Sequence, residues 1–202
     1  DNGFVGKDVW YAHGIHFNDE ELDLLASTGT GVAHCPSSNM RLGSGICRVR
    51  EMLDRGVNVG LAVDGSASND ASDMLGEARQ ALLLQRVRYG SGGINAREVL
   101  GVATIGGARI LGYDDAGSME PGALADIAMF DVMKLEYAGA LSDPAAALLF
   151  SGYNHGVDHL IVNGHVVVKE GRLAGADEDR IRDEANRCAK RLLTKAGVTA
   201  LW

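Results

Sequence analysis

Three times in its first 64 residues the chain closes a short apolar run on an ionisable side chain, with helical patterns between the runs. The third instance is the clearest. Residues 58–69 read NVGLAVDGSASN: an apolar run over 59–63 delivers Asp64, a small-residue loop follows over 65–68, and a long helical pattern begins near Asn69. A strand that is apolar on both faces is buried on both, as in a parallel sheet covered by helices. A carboxylate closing such a strand sits where α/β barrels and doubly wound sheets place their chemistry. Asp64 also has a plainer reading as a helix cap, but Ser68, Asn69 and Asp70 lie nearer the helix and suit that role better.

The two upstream instances repeat the pattern. Residues 8–17, DVWYAHGIHF, read as a strand carrying His13, with His16 three positions on; on a strand that spacing points the two rings to opposite faces. Residues 31–36, GVAHCP, read as a short strand ending in His34, followed by a loop, SSNMRLGSG. Between these strands lies a helix over 18–29, with Asn18 as its N-cap, Glu20 and Glu21 in its positive first turn and Gly29 closing it. Val49, Met52 and Leu53 mark a second helix, ended by Gly56. Strands separated by helices imply parallel pairing through right-handed crossovers. Three such strands, each ending in an ionisable group, predict one site assembled from strand ends.

Farther on, the residues read as scaffold. A helix is expected over 70–89, with Leu75, Ala78, Ala81, Leu82 and Gln85 at helical spacing and Met74 as core filler. Asn95 and Glu98 form a capping arrangement for a helix through Leu111 ended by Gly112, and Gly106 and Gly107 inside it imply close approach of another backbone. From Asp114 turns and short strands take over: a turn at 120–122, an alternating strand over 125–132, a short helix started by Asp143 and Pro144, and a hairpin whose Asn163-Gly164 specifies a type I′ turn. A last helix from Asp177 carries Ile181, Ala185, Cys188, Ala189 and Leu192 on one face, as an amphipathic packing helix does. His155, His159 and His165 fit no metal-binding spacing and read as surface or packing residues.

Composition removes several function classes. A net charge of −8 with no basic stripe excludes nucleic-acid phosphates as a partner and favours a free base or small heterocycle. The cysteines, Cys35, Cys47 and Cys188, are odd in number and form no C-x-x-C, so neither zinc ribbon, redox motif nor disulfide framework is implied. The cytoplasm is the default compartment. Cys35 reads as a pocket-wall residue in preference to a nucleophile. No apolar run reaches the roughly 18 residues that span a bilayer, so no membrane partner is expected.

Taken in order, AHGIHFNDEE, GVAHCPSSNMRLGSG and LAVDGSASND resemble the metal-dependent amidohydrolase superfamily, in the branch of guanine and 8-oxoguanine deaminases and triazine hydrolases. The resemblance continues through ATIGGARILG and GSMEPGALADIAMFD to VDHLIVNGHVVVKEGRL, nearly the whole chain. HCPSSNMRL and VDGSASNDASDMLGEARQALLLQR, with the tail, are most similar to 8-oxoguanine deaminases. The resemblance implies an α/β fold: the C-terminal part of a (β/α)8 TIM barrel, strands six to eight, over 1–112, a small β subdomain over 113–176 and a C-terminal helix over 177–202. The family's His-x-His pair and His-x-x-Glu have no counterpart in these 202 residues. The expectation is therefore the C-terminal portion of a longer enzyme, unstable alone because an open barrel segment exposes two strand edges. That missing N-terminal portion is the expected partner, in a homo-oligomer.

The resemblance further implies one divalent metal ion, zinc by preference, and hydrolytic deamination of 8-oxoguanine to urate and ammonia by metal-bound hydroxide. Asp64 is then a metal ligand and proton shuttle, and His13 stands beside the attacking oxygen. His34 supports a neighbouring site group, forms pocket wall or contacts substrate; Asn39 and Ser66 either contact substrate or hold turns. A guanine or triazine aminohydrolase is the alternative within enzymes. A non-catalytic structural or regulatory module, folded without zinc, is the alternative outside them.

Overall fold

Three short strands, Trp10–Ala12 (β1), Gly31–His34 (β2) and Val59–Leu61 (β3), pair in parallel in the order β1-β2-β3. The register sets Ala12 beside Ala33 and His34 beside Leu61, which brings the C-terminal ends of all three strands together. The computed structural model describes residues 2–152 and 156–198. Helices fill the crossovers: Asp19–Thr28 (α1) between β1 and β2, then Pro36–Arg41 (α2) and Val49–Asp54 (α3) between β2 and β3. Asn18 and Glu21 complete a reciprocal capping box on α1, and Gly29 ends it in the left-handed conformation that a side chain disfavours. Leu22, Leu25, Val32, Val49, Met52 and Val59 are buried, each contributing about 1.5–3 kcal/mol through removal from water.

Two more helical segments close over this sheet. Met74–Tyr89 (α4) starts at the N-cap Asp73, whose side chain accepts from the Gly76 N–H, four residues later than the expected start. Asp73 wins that role because the preceding residues 66–71 are taken up in turns. Met74 is therefore a first-turn residue, 39% exposed, and not core filler. Ala96–Gly101 (α5) begins at the Asn95–Glu98 capping box, passes through a π-helical stretch, Val102–Gly106, and ends in Gly107–Ile110 (α6). The glycines of this helix meet a strand backbone, as expected: a Cβ on Gly106 would lie 2.1 Å from the Val59 carbonyl oxygen, and one on Gly60 would lie 2.9 Å from the Gly107 Cα. Backbone cannot give way as a side chain can. Gly106→Ala is therefore expected to destabilise the protein by at least about 1–3 kcal/mol. Gly101→Ala, in open space within the same helix, should be neutral or stabilising by up to about 1 kcal/mol. Urea midpoints of the two variants check this, and equal midpoints would refute it.

The contacts divide the chain into two units, Asp1–Ala125 with Asp131–His155, and Asp126–Phe130 with Gly156–Trp202. The expected boundary near 113 thus differs from the observed one. The physical reason is Pro144–Phe150 (α7), which buries Ala147 and Leu149 and packs on α4 and α5. The second unit holds an antiparallel sheet in the order β4-β5-β6-β7, made of Ile127–Met129, His159–Val162, His165–Lys169 and Arg172–Leu173. Its β5–β6 turn has positive φ at both Asn163 (48°) and Gly164 (76°), as a type I′ turn requires. The strand expected over 125–132 shrinks to β4. Asp177 caps Glu178–Lys195 (α8), none of whose residues is buried; Ile181 and Leu192 on its apolar face are 46% and 68% exposed. Among the described residues no helix is long and apolar enough to cross a membrane.

Two local expectations are corrected by the backbone near the strand ends. The strand read over 8–17 stops at Ala12, because His13 turns into the left-handed region at φ 70° and Gly14 follows it at 61°. The alternation of faces assigned to His13 and His16 therefore does not apply. The loop read after His34 contains α2, which Pro36 starts because its fixed φ suits the first helical position.

Candidate active site

His13 directly follows the end of β1 and Asp64 lies three residues beyond the end of β3, and both are non-glycine residues at positive φ, 70° and 65°. Such a conformation costs on the order of 1–3 kcal/mol and persists where surrounding contacts impose it, most often at functional sites. For His13 the backbone N–H donates to the Ala33 carbonyl at 2.8 Å, tying its turn to β2. The two side chains meet, with His13 Nε2 at 3.7 Å from Asp64 Oδ2.

Three donors hold the Asp64 carboxylate. Ser38 Oγ lies 2.5 Å and Ser68 Oγ 3.1 Å from Oδ2, and the Gly65 N–H donates to Oδ1 at 2.7 Å. The Ser38 hydroxyl first, then the Gly65 amide and Ser68, hold this carboxyl below the usual carboxylate range. It is ionised at neutral pH. A carboxylate has about four acceptor positions, so one on Oδ1 stays open. On the histidine, Nδ1 lies 2.8 Å from Asn39 Oδ1. A carboxylate with an open acceptor position and a neighbouring imidazole are donor groups of the kind a zinc-type ion takes, and these residues fit part of such a shell. Among the described residues no group of three or more His, Cys, Asp or Glu side chains completes one.

The remaining predicted residues divide by burial. Asn39 is buried on α2, so its contact is His13. His34 is fully buried at the end of β2, where burial first and the His13 charge second push its pKa down to about 4. It is neutral at physiological pH. Neither of its ring nitrogens, nor Asn39 Nδ2, has a hydrogen-bond partner among the described residues. Ser66 is exposed in the turn after Asp64, where its side chain faces solvent and stands apart from the network that holds the carboxylate. Cys35 is buried; burial and the Asp64 charge push its thiol up to about 11, which disfavours the thiolate a nucleophile needs. His13 also lines a cleft of about 470 Å³ with Tyr11, Ile15, His16, Phe17 and Leu42. His159 pairs with Asp158 at 2.6 Å, and His165 lies on β6. His155 lies outside the described residues.

Sequence reading missed Ser38 and Ser68, the residues that hold Asp64, and the buried Glu77 behind them. Glu77 accepts from the Ser37 N–H at 3.0 Å and from Asn69 Nδ2 at 2.9 Å, clamping α2 and the loop after Asp64 to α4. The available signal was a carboxylate on the apolar face of a helix, which is rarely buried without partners.

The chain matches the amidohydrolase family over residues 2–167. It is 50% identical to an 8-oxoguanine deaminase from Pseudomonas aeruginosa, over 87% of this chain and 38% of that protein. It is 42% identical to an isoxanthopterin deaminase from an unknown prokaryotic organism, over 98% of this chain and 44% of the relative. A zinc complex of atrazine chlorohydrolase from Arthrobacter aurescens TC1 superimposes with a TM-score of 0.86 at 36% identity, covering 90% of this chain and 41% of that one. The chain thus spans less than half the length of each of these proteins. By the family match and by these identities, it belongs to the amidohydrolase family.

Proposed function

We propose that this chain is the part of a metal-dependent aminohydrolase that supplies strands six to eight of its barrel, and that the enzyme removes the exocyclic amine from a 2-amino-oxo heterocycle, 8-oxoguanine first. The observation that carries this reading is the juxtaposition of His13 and Asp64, 3.7 Å apart after strand ends of one sheet, both in strained backbone. The substrate class is supported by the two relatives above, whose named substrates both carry an amine on a ring carbon between two nitrogens. The 50% identity to the 8-oxoguanine enzyme, against 42% to the other, favours 8-oxoguanine.

Asp64 would hold the ion through the acceptor position left open on Oδ1, with the other ligands and a protonating Glu coming from elsewhere in the protein. When bound, a zinc-type ion lowers the pKa of a water to about 7 and so supplies a nucleophile at neutral pH. Of the water's two protons, one would pass to a ring nitrogen through the protonating Glu. Asp64 would take the other on Oδ2, at a position freed when the Ser68 hydroxyl turns to the Gly65 carbonyl 3.2 Å away, and return it to the departing amine. The C–N bond breaks as the new C–O bond becomes a carbonyl, and ammonia leaves. His13 Nε2 accepts a hydrogen bond from the attacking oxygen, which orients it and steadies the tetrahedral adduct. Cleft residues such as Tyr11 and Phe17 offer apolar faces to a planar ring.

Ammonia release by the full-length protein from 8-oxoguanine, isoxanthopterin, guanine and an amino-triazine tests the reading. The expected order puts 8-oxoguanine highest in kcat/KM. Highest turnover of the amino-triazine would move the protein to the triazine hydrolases, and no turnover of any would favour a non-catalytic module. Chelation should abolish activity and added zinc restore it; activity that survives complete metal removal would overturn the metal assignment.

A further inference from the structure

We propose that Ser38 and Asn39, neighbours on α2, are paired positioning residues, one for each reacting side chain. This rests on the function proposed above. Successive helical residues point about 100° apart, so one helical turn can address two strand ends. Ser38 Oγ lies 2.5 Å from Asp64 Oδ2, and Asn39 Oδ1 lies 2.8 Å from His13 Nδ1. A carbonyl oxygen can only accept, so Nδ1 must donate. That bond keeps the proton on Nδ1 and leaves Nε2 as the nitrogen that faces Asp64 with its lone pair free. Without it, the neutral ring can put a proton where the mechanism needs an acceptor.

The device is rigid. Ser38 and Asn39 are 0% and 1% exposed, and neither lines the cleft beside His13. The Asn39 N–H donates to the Cys35 carbonyl, and its own carbonyl accepts from Ser44. One residue before the pair, the Ser37 N–H is held by Glu77 of α4, which is 2% exposed. Thus α4 fixes α2, and α2 fixes both groups.

Nitrogen-15 NMR of histidine-labelled full-length protein, zinc-loaded and zinc-free, reads the tautomer directly; the His13 signals are assigned by their loss in His13→Gln. The expected result is the Nδ1–H tautomer of the His13 ring. Asn39→Leu should shift that proton toward Nε2 and lower kcat by about 10–100-fold, the usual loss when an orienting partner is removed, with KM little changed. Asn39→Asp keeps an acceptor and should keep the Nδ1–H tautomer and recover part of kcat. Ser38→Ala should lower kcat, and Ser38→Thr, which keeps the hydroxyl, should restore it. A proton on Nε2 in the parent protein, or an unchanged tautomer and kcat in Asn39→Leu, overturns the Asn39 role. Parent-like kcat in Ser38→Ala overturns the Ser38 role. The tautomer is read without substrate, so an enzyme that turns over none of the heterocycles above refutes the function reading and leaves the Asn39 result standing on its own. Should Asn39→Leu fail to fold, the parent tautomer and Asn39→Asp still decide.

Discussion

Asp64→Asn in the full-length protein is expected to lower kcat by at least about 10³-fold, combining the loss of a positioned proton acceptor with weaker metal activation. The substitution keeps side-chain size and one oxygen. It removes the charge that Ser38, Gly65 and Ser68 are arranged to hold. A carboxamide in that cradle presents either an oxygen or an NH2 group to the serine hydroxyls, and it accepts no proton at neutral pH in either orientation. His13→Asn should be damaging but less so, since it removes the acceptor that orients the attacking oxygen and leaves the shuttle in place. Ammonia release, with metal content measured on the same samples, separates the two causes. If Asp64→Asn binds metal fully and keeps more than about a tenth of parental activity, far above what loss of acid–base catalysis leaves, the shuttle role is wrong.

How far the sequence reached depended on whether the determining interaction was local. The caps Asn18, Asn95, Asp143 and Asp177 and the Asn163-Gly164 turn were legible because each is settled within four residues. Gly106 was legible for another reason: a glycine inside a helix weakens it, so its presence implies a neighbour too close for a side chain. The parallel order of β1, β2 and β3 followed from alternation with helices.

The site was legible in its members and not in its geometry. His13 and Asp64 were readable as strand-end groups, but their left-handed backbone was not, since His and Asp adopt positive φ more often than most side chains yet still seldom, and Gly14 next to His13 was the obvious turn residue. The helix α2 was hidden because it is six residues long and rich in serine, a composition that reads as loop. Its two contacts to the site each span 26 residues of sequence. No periodicity encodes contacts of that kind. The apolar face of α8 was read correctly as a face, but a pattern names no partner, and among the described residues that face is exposed.

His34 supplies the other large effect, and it acts on stability. In the folded protein its pKa is pushed down to about 4 by burial and by the His13 charge, against 6.5 for the ordinary side chain. Below pH 6.5 the unfolded chain therefore takes up a proton that the folded protein refuses until about pH 4. The unfolded state binds more protons across that window, so stability falls as the pH is lowered through it. This contribution is fully present above pH 6.5 and is lost by about pH 4, a change on the order of 3 kcal/mol. Urea midpoints of the metal-free full-length protein, taken from pH 7.5 down to 4.5, measure it. His34→Leu removes the titrating ring together with two nitrogens that have no partner among the described residues, a replacement that costs little when no hydrogen bond is broken. Carboxylates titrating over the same range contribute equally to both proteins, so the difference between the two curves reports His34 together with its coupling to His13. The variant should lose less stability than the parent on acidification, and the curves should converge or cross as pH falls. Curves that stay parallel from neutral pH to 4.5 would mean that His34 is protonated as readily in the folded protein as in the unfolded chain, and that its burial imposes no penalty on the charged ring.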